Sequence, residues 1–463
     1  MRRAGILGLV LLLGACSGGS SPAAAPSVVF TPGAPGAGDP YFPTYGNGGY
    51  DVSGYDLNIR YDPSSGELTG TATIAATATQ NLSRFDLDLA HLAASSVTVD
   101  GAAATSKADG NELVITPSAG LIKGKAFTTV VEYGGKPGQL ANKTLGDGGW
   151  LRSSTGALAL GQPESASTWF PVDDHPSDKA TFKLAMTVPD GLSALSIGVP
   201  GERTSSGGWT TWRWTESSPL ASYLSTVVIG KYRVTTGTHD GKPMILAVPE
   251  SMPANGPAAT SIARTGEIAD FLATKFGPYP FDAYGGIVVD DNRIRYALET
   301  QSRPSYGRAF FTDVNTTVVA HELAHQWFGD SVALERWQDI WLNEGFATYA
   351  EWLWDEHDGG DKVQVAFDRT YQDYDWTQAP GDPGVARLFG NAVYDRGGMT
   401  VYALRETIGD AAFDRLLTTW TSEYRDSNAT TEDLIKLAEQ ISGKGLGPFF
   451  QAWLYGTTRP SKP

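Results

Sequence analysis

His321-Glu322-Leu323-Ala324-His325 places two imidazoles four residues apart, with a carboxylate between them. In a helix, residues four apart lie on one face about one turn up, so both rings can reach a single metal ion. Glu322 projects about 100° further round, beside the metal but off the line of ligands, where a base acting on water belongs. Catalytic zinc takes three protein ligands and keeps a further position for water. Glu344, nineteen residues beyond His325, supplies the third ligand. The stretch between them, with Gly329 near the end of the first helix, is long enough to turn back into a second helix that presents this carboxylate. His321, His325 and Glu344 around one Zn2+, with Glu322 as base, form the donor set of a hydrolase acting on peptide bonds. Each half alone has a plainer reading. Two histidines and a glutamate can be a solvated helix face, and a glutamate at a helix start is favoured by the helix dipole. Asp330 and Asp339 lie in the intervening stretch. Either can accept the second N–H of a ligand histidine, as such sites require, and either can equally cap a helix or face solvent.

Helices must hold these residues, and the second half of the chain supplies them. From residue 312 onward helical patterns dominate, as at 400–406, 411–420 and 432–440, with Thr430 placed to cap the last of these. Ahead of them Ile262, Ile268, Phe271 and Leu272 fit one helical face, stopped by Gly277-Pro278, and a short apolar strand follows around Ile287. From Tyr50 to Pro249 the period is two instead. Tyr55, Leu57, Ile59 and Tyr61 alternate with polar residues, as do Phe85, Leu87 and Leu89, then Phe182, Leu184, Met186 and Val188. The fold expected is multidomain α+β. An N-terminal antiparallel β saddle or sandwich spans 48–249, and a mostly helical catalytic domain with a small sheet spans 250–463.

Composition agrees with two large domains. Hydrophobic residues make up 41% of the 463 positions and aromatics 11%, enough for extensive cores at roughly 100–200 residues per domain. With 35 basic against 51 acidic residues and a formal charge of −16, the chain lacks the clustered cations that nucleic acid requires. Arg2 and Arg3 precede an apolar run at 4–13 that ends in Leu13-Gly14-Ala15-Cys16. That order predicts a lipoprotein signal peptide over 1–15. Cys16, the one cysteine in the chain, would then carry the lipid. The expected location is secreted, anchored on the outer face of a bacterial membrane or cell envelope. A single cysteine excludes an internal disulfide. Residues 16–47, rich in Ser, Gly, Pro and Ala, read as a flexible tether.

Residues 321–330 read HELAHQWFGD and residues 341–347 read WLNEGFA. Both resemble the aminopeptidase N family of zinc metallopeptidases, which also includes the leukotriene-epoxide hydrolase. The resemblance runs from about Tyr50 to Pro460. It takes in Trp169-Phe170-Pro171, Asp178-Lys179-Ala180 and Phe449-Phe450-Gln451-Ala452-Trp453-Leu454-Tyr455-Gly456. It implies a thermolysin-like catalytic domain, a Zn2+ cofactor and removal of the first residue from peptides with a free N-terminus. Three further sites follow from it. Tyr296-Ala297-Leu298-Glu299-Thr300 stands where the family carries G-[AG]-M-E-N on an edge strand. The resemblance makes Glu299 the grip on the substrate ammonium, with Ala297 and Leu298 beside the peptide. The departures at Tyr296, Leu298 and Thr300 change the pocket's shape. Gln162-Pro163-Glu164 resembles the family's Q-x-E, implying that Glu164 and Gln162 add a second contact to the amine and first side chain. Val393-Tyr394-Asp395-Arg396-Gly397 resembles V-Y-x-K-G, implying that Tyr394 donates to the oxyanion. Larger relatives continue into C-terminal domains that roof the site, so a short form with a more open cleft is expected. Two rivals remain: a thermolysin-like zinc endopeptidase, and a non-catalytic cell-surface binding module retaining the fold.

Overall fold

The computed structural model describes residues 28–141, 145–146, 148–153 and 156–463. The expected signal segment and Cys16 lie outside the described residues. Among the described residues no helix is long and apolar enough to cross a membrane.

Alternation builds the first domain. In Tyr50–Asp62, Tyr55, Leu57, Ile59 and Tyr61 are buried while Asp56, Asn58 and Arg60 are exposed, as a pleated strand requires. This strand lies near the centre of a nine-stranded sheet, flanked by Glu67–Ala78 and Lys179–Pro189. The pairing with Lys179–Pro189 is parallel, so the sheet is mixed and not wholly antiparallel as expected. A period of two is common to both kinds of pairing, and the long connection between the two strands removes any need for a hairpin. A four-stranded and a five-stranded sheet complete the domain.

The expected boundary at 249/250 is displaced. Tyr232–His239 and Lys242–Pro249 pair with each other, and the second runs parallel to Tyr284–Val289. They therefore belong to the sheet of the catalytic domain, whose order ends on the edge strand Ala297–Leu298 beside Ser305–Gly307. Alternation marks a strand but not the sheet it joins.

The tether is corrected too over its described residues, 28–47. Thr31–Pro32 pairs in parallel with Leu82–Asp88. Phe42 is buried, stacks on Tyr45 at 4.6 Å and meets the edge of Trp337 at 6.4 Å. Asp39 accepts from the backbone amides of Tyr41 (2.7 Å), Phe42 (2.9 Å) and Trp337 (2.8 Å), and its Oδ2 faces His175 Nε2 at 3.3 Å. Burial pushes this carboxyl up, but the His175 and backbone hydrogen bonds outweigh it and hold the group below the usual range. His175 lies in the β domain and Trp337 in the catalytic domain. The segment is thus a strap fixed to both.

The catalytic domain is built on helices α1 (Pro257–Ile262), α2 (Thr265–Phe276), α3 (Thr317–Ala324) and α4 (Trp341–His357). The single face expected across 262–272 is broken into α1 and α2 at Ala263-Arg264. Gly277, at φ +96°, ends α2 in a conformation that side chains disfavour. Thr430 caps Thr431–Ser442 in a reciprocal capping box with Asp433. Half-buried Lys179 reaches from the β domain to donate to the carbonyls of Asp330 and Ser331, both at 2.8 Å. That contact pins the chain just past the second histidine.

Candidate metal centre and catalytic cleft

Helix α3 carries His321 and Glu322, and His325 caps its end with helical dihedrals. Helix α4 returns alongside it with Glu344 in its first turn. His321 Nε2 and His325 Nε2 stand 3.3 Å and 3.4 Å from the same oxygen, Glu344 Oε2. Bonds of about 2.0–2.2 Å to a tetrahedral metal put neighbouring donor atoms about 3.3–3.5 Å apart, so these three atoms fit one small cation.

Proton placement points the same way. His325 Nδ1 lies 3.0 Å from the carbonyl of Phe328, which can only accept, so the ring carries its proton there. His325 Nε2 then presents a lone pair to a carboxylate oxygen. That arrangement needs a cation, or a second proton, between them. Burial would raise the Glu344 carboxyl, but the two imidazoles hold it at about 2, ionised as a ligand must be. Against the pull of burial, the surrounding carboxylates draw protons onto both imidazoles. A bound dication replaces those protons.

Glu351 orients the first ligand: its Oε1 lies 2.5 Å from His321 Nδ1. Neither expected acid does this. Among the described residues both carboxylate oxygens of Asp330 are buried without a hydrogen bond, and Asp339 instead accepts from Arg336 (2.9 Å) and Thr431 (2.6 Å). Glu351 follows Glu344 by seven residues, two turns along the same face of α4, and that spacing was the available signal. Glu351→Ala should weaken zinc affinity by about 10–100-fold, the usual cost of losing such a partner. Titration with zinc under a competing chelator measures it. Unchanged affinity would remove Glu351 from the site.

The metal-site residues open on a cavity of about 410 Å³, lined also by Gln162, Tyr296, Ala297, Glu299, Phe310 and Tyr394. Glu299 is buried, and its Oε1 accepts from Tyr223 Oη (3.0 Å) and Gln162 Nε2 (3.2 Å). Both donors are neutral. Burial raises its carboxyl, opposed mainly by nearby His325. Carboxylate oxygens of Glu299 and Glu322 and a ring nitrogen of His325 lie within 4.8 Å of one another. Tyr223, from the β domain, escaped the sequence reading because no local pattern marks it.

Two expected contacts are not made. Leu298 points into the core, 1% exposed, because alternation along the edge strand gives the cavity Ala297 and Glu299. Glu164 does not line the cavity; it is hydrogen-bonded to Tyr45. Burial and then Asp174 push its carboxyl up to about 8.

Tyr394 sits in a wide helical turn, Ala392–Arg396, with one residue more than an α-helix carries, a device common at functional sites. Its ring lies 6.0 Å from that of His321. Burial and the surrounding carboxylates hold its hydroxyl far above the usual range, so it keeps its proton as a donor. Two glycines bring it there. A Cβ on Gly345 of α4 would lie 2.8 Å from the Gly397 backbone, so α4 touches the start of the helix Gly397–Ile408 that follows the wide turn. Arg396 spends all five N–H donors on carbonyls of Trp376, Gln378, Ala452, Trp453 and Gly456, locking the turn to the C-terminal FFQAWLYG element. A lysine offers only three.

Comparison with known proteins agrees with this arrangement. Residues 52–224 match the model of the peptidase M1 N-terminal domain, and residues 308–453 that of the peptidase family M1 domain. Aminopeptidase M1-C of rice (Oryza sativa subsp. japonica) is 28% identical over 443 residues, covering 86% of this chain and 49% of the relative. The chain thus spans about half the length of that relative. An M1 zinc metallopeptidase from Deinococcus radiodurans superposes with a TM-score of 0.85 at 30% identity, covering 92% of this chain and 98% of the other. A mutant of the Deinococcus enzyme, solved with the substrate Tyr-Ser-Ala, superposes with the same TM-score at 29% identity, covering 92% of this chain and 99% of the other.

Proposed function

The chain belongs to peptidase family M1, and from that premise we propose that it is a zinc-dependent aminopeptidase, removing the first residue from peptides with a free N-terminus. One observation carries the reading: a buried carboxylate, Glu299, held by neutral donors within 4.8 Å of the base Glu322. A buried carboxylate so held is costly unless a cation joins it. The substrate's α-ammonium is the cation that places the first peptide bond beside Glu322.

Zinc held by His321, His325 and Glu344 supplies Lewis acidity to a water and to the scissile carbonyl. Glu322 takes the proton from the attacking water and returns it to the leaving amine. Tyr394 donates its O–H to the oxyanion as charge develops. Glu299, set in place by Gln162 and Tyr223, holds the ammonium. The outer edge of Ala297–Leu298, last in its sheet, offers backbone groups to an extended peptide.

N-acetylation tests the reading. It removes the ammonium and leaves Glu299 buried and unpaired, so acetylated peptides should be cut at least about 100-fold more slowly than free ones, the scale of an unpaired buried charge. Matched kcat/KM values on free and acetylated forms of one peptide measure this. Equal rates would favour the endopeptidase reading.

A further inference from the structure

The cavity wall carries four carboxylates, from Glu299, Glu322, Glu344 and Glu351, and among the described lining residues one permanent cation, Arg295. Its neighbours are neutralised: Arg293 pairs with Asp291 at 2.5 Å and Arg308 with Asp290 at 2.6 Å. Arg295 is exposed and makes no hydrogen bond or ion pair among the described residues. An arginine without a partner on the wall of a cleft is a plain solvated side chain unless a ligand brings it an anion.

Its place two residues ahead of the edge strand says where that anion would come from. Arg295, Tyr296, Ala297 and Glu299 all line the cavity, while Leu298 turns into the core. Opposite charges thus stand at the two ends of one stretch of cavity wall, with Tyr296 and Ala297 between them. Four residues of extended chain span at most about 14 Å, and a tripeptide about 10 Å. With its ammonium at Glu299 and its backbone along the edge strand, a substrate would run towards Arg295, whose long side chain closes the difference. Arg295 also borders a second hollow of about 700 Å³ with Met252, Asn292, Arg308 and Phe311, so a longer chain would continue past it.

We propose that Arg295 reads a carboxylate on the leaving side of the substrate, supplied by the C-terminus of a short peptide or by an acidic side chain at the same distance from Glu299. The pairing is a charge-assisted hydrogen bond in planar fork geometry. This rests on the aminopeptidase reading. It makes Arg295 a determinant of which peptides are preferred and gives it no part in bond cleavage.

The test uses ratios measured within each protein. The wild-type protein, Arg295→Gln and Arg295→Lys are assayed on Leu-Gly-Gly and its C-terminal amide, and on Leu-Gly-Asp-amide against Leu-Gly-Asn-amide. The wild-type protein should prefer the carboxylate member of at least one pair by about tenfold in kcat/KM, the order expected of a charge-assisted bond. Arg295→Gln should bring that ratio to near one, and Arg295→Lys should leave it between. A preference confined to the first pair assigns the terminal carboxylate; one confined to the second assigns a side chain. Ratios that do not change with Arg295 overturn the proposal. Failure of the wild-type protein on all four peptides and on leucine anilide would instead sink the aminopeptidase reading, and this proposal with it.

Discussion

Glu322→Gln should yield a folded protein that binds zinc as the wild type does and turns over about 10²–10⁴-fold more slowly, the contribution of a positioned general base. Glutamine matches the shape of glutamate and keeps its hydrogen-bonding reach, but it cannot take a proton. Glu322 lines the cavity and is not one of the three atoms meeting at the metal position, so the substitution spares the ligands. Burial pushes its carboxyl up to about 8, against the pull of the two histidines. A dication beside it moves that value down again, towards a base that is ionised and still basic at neutral pH. Zinc stoichiometry and kcat on the same sample decide the matter. Full zinc with near wild-type turnover would mean that another group takes the proton.

Glu344→Ala should lose zinc and hydrolysis together. Glu344 Oε2 is the atom both imidazoles face, and with it gone the remaining pair of neutral nitrogens offers the cation no charge. Wild-type protein at free zinc of one hundred times its dissociation constant gains about 2.7 kcal/mol of stability by mass action. The variant should gain nothing at the same zinc concentration. Thermal melts with and without zinc test this, and a variant that still melts higher with zinc would place the metal elsewhere. Chelated wild-type protein should be inactive and recover on zinc addition.

The parts of this site legible in the sequence were those carried by short-range geometry. His321, Glu322 and His325 share a helix turn, and Glu344 opens the next helix. Glu351 was equally legible, seven residues on along α4, but Asp330 and Asp339 between the two helices offer the same acceptor chemistry closer to the histidines in sequence. Glu164 went astray for a local reason: the Gln162 side chain reaches Glu299, while that of Glu164, two residues on, is hydrogen-bonded to Tyr45. Tyr223 was not legible at all, because its partner is brought to it by the packing of two domains. The misassigned strands at 232–249 share the same limit, since a strand's alternation is the same in either sheet. The segment at 28–47 misled in the same long-range way. Its Pro, Gly and Ala resemble a linker, and its anchors have partners far along the chain, at Leu82, His175 and Trp337.

That segment bears on how such proteins can be recombined. Asp39 reads an amide of one domain and an imidazole of the other, and Phe42 packs against Trp337. The two domains are therefore not two exchangeable modules. A chimera that joined this catalytic half to the β half of a relative at residue 230 would import a foreign strap with the foreign half. Trp337 and its surroundings would then face a sequence they had not been selected with. The heritable unit is the strap together with the surfaces it reads on both sides, and grafts that respect it should outlast those cut at the domain border.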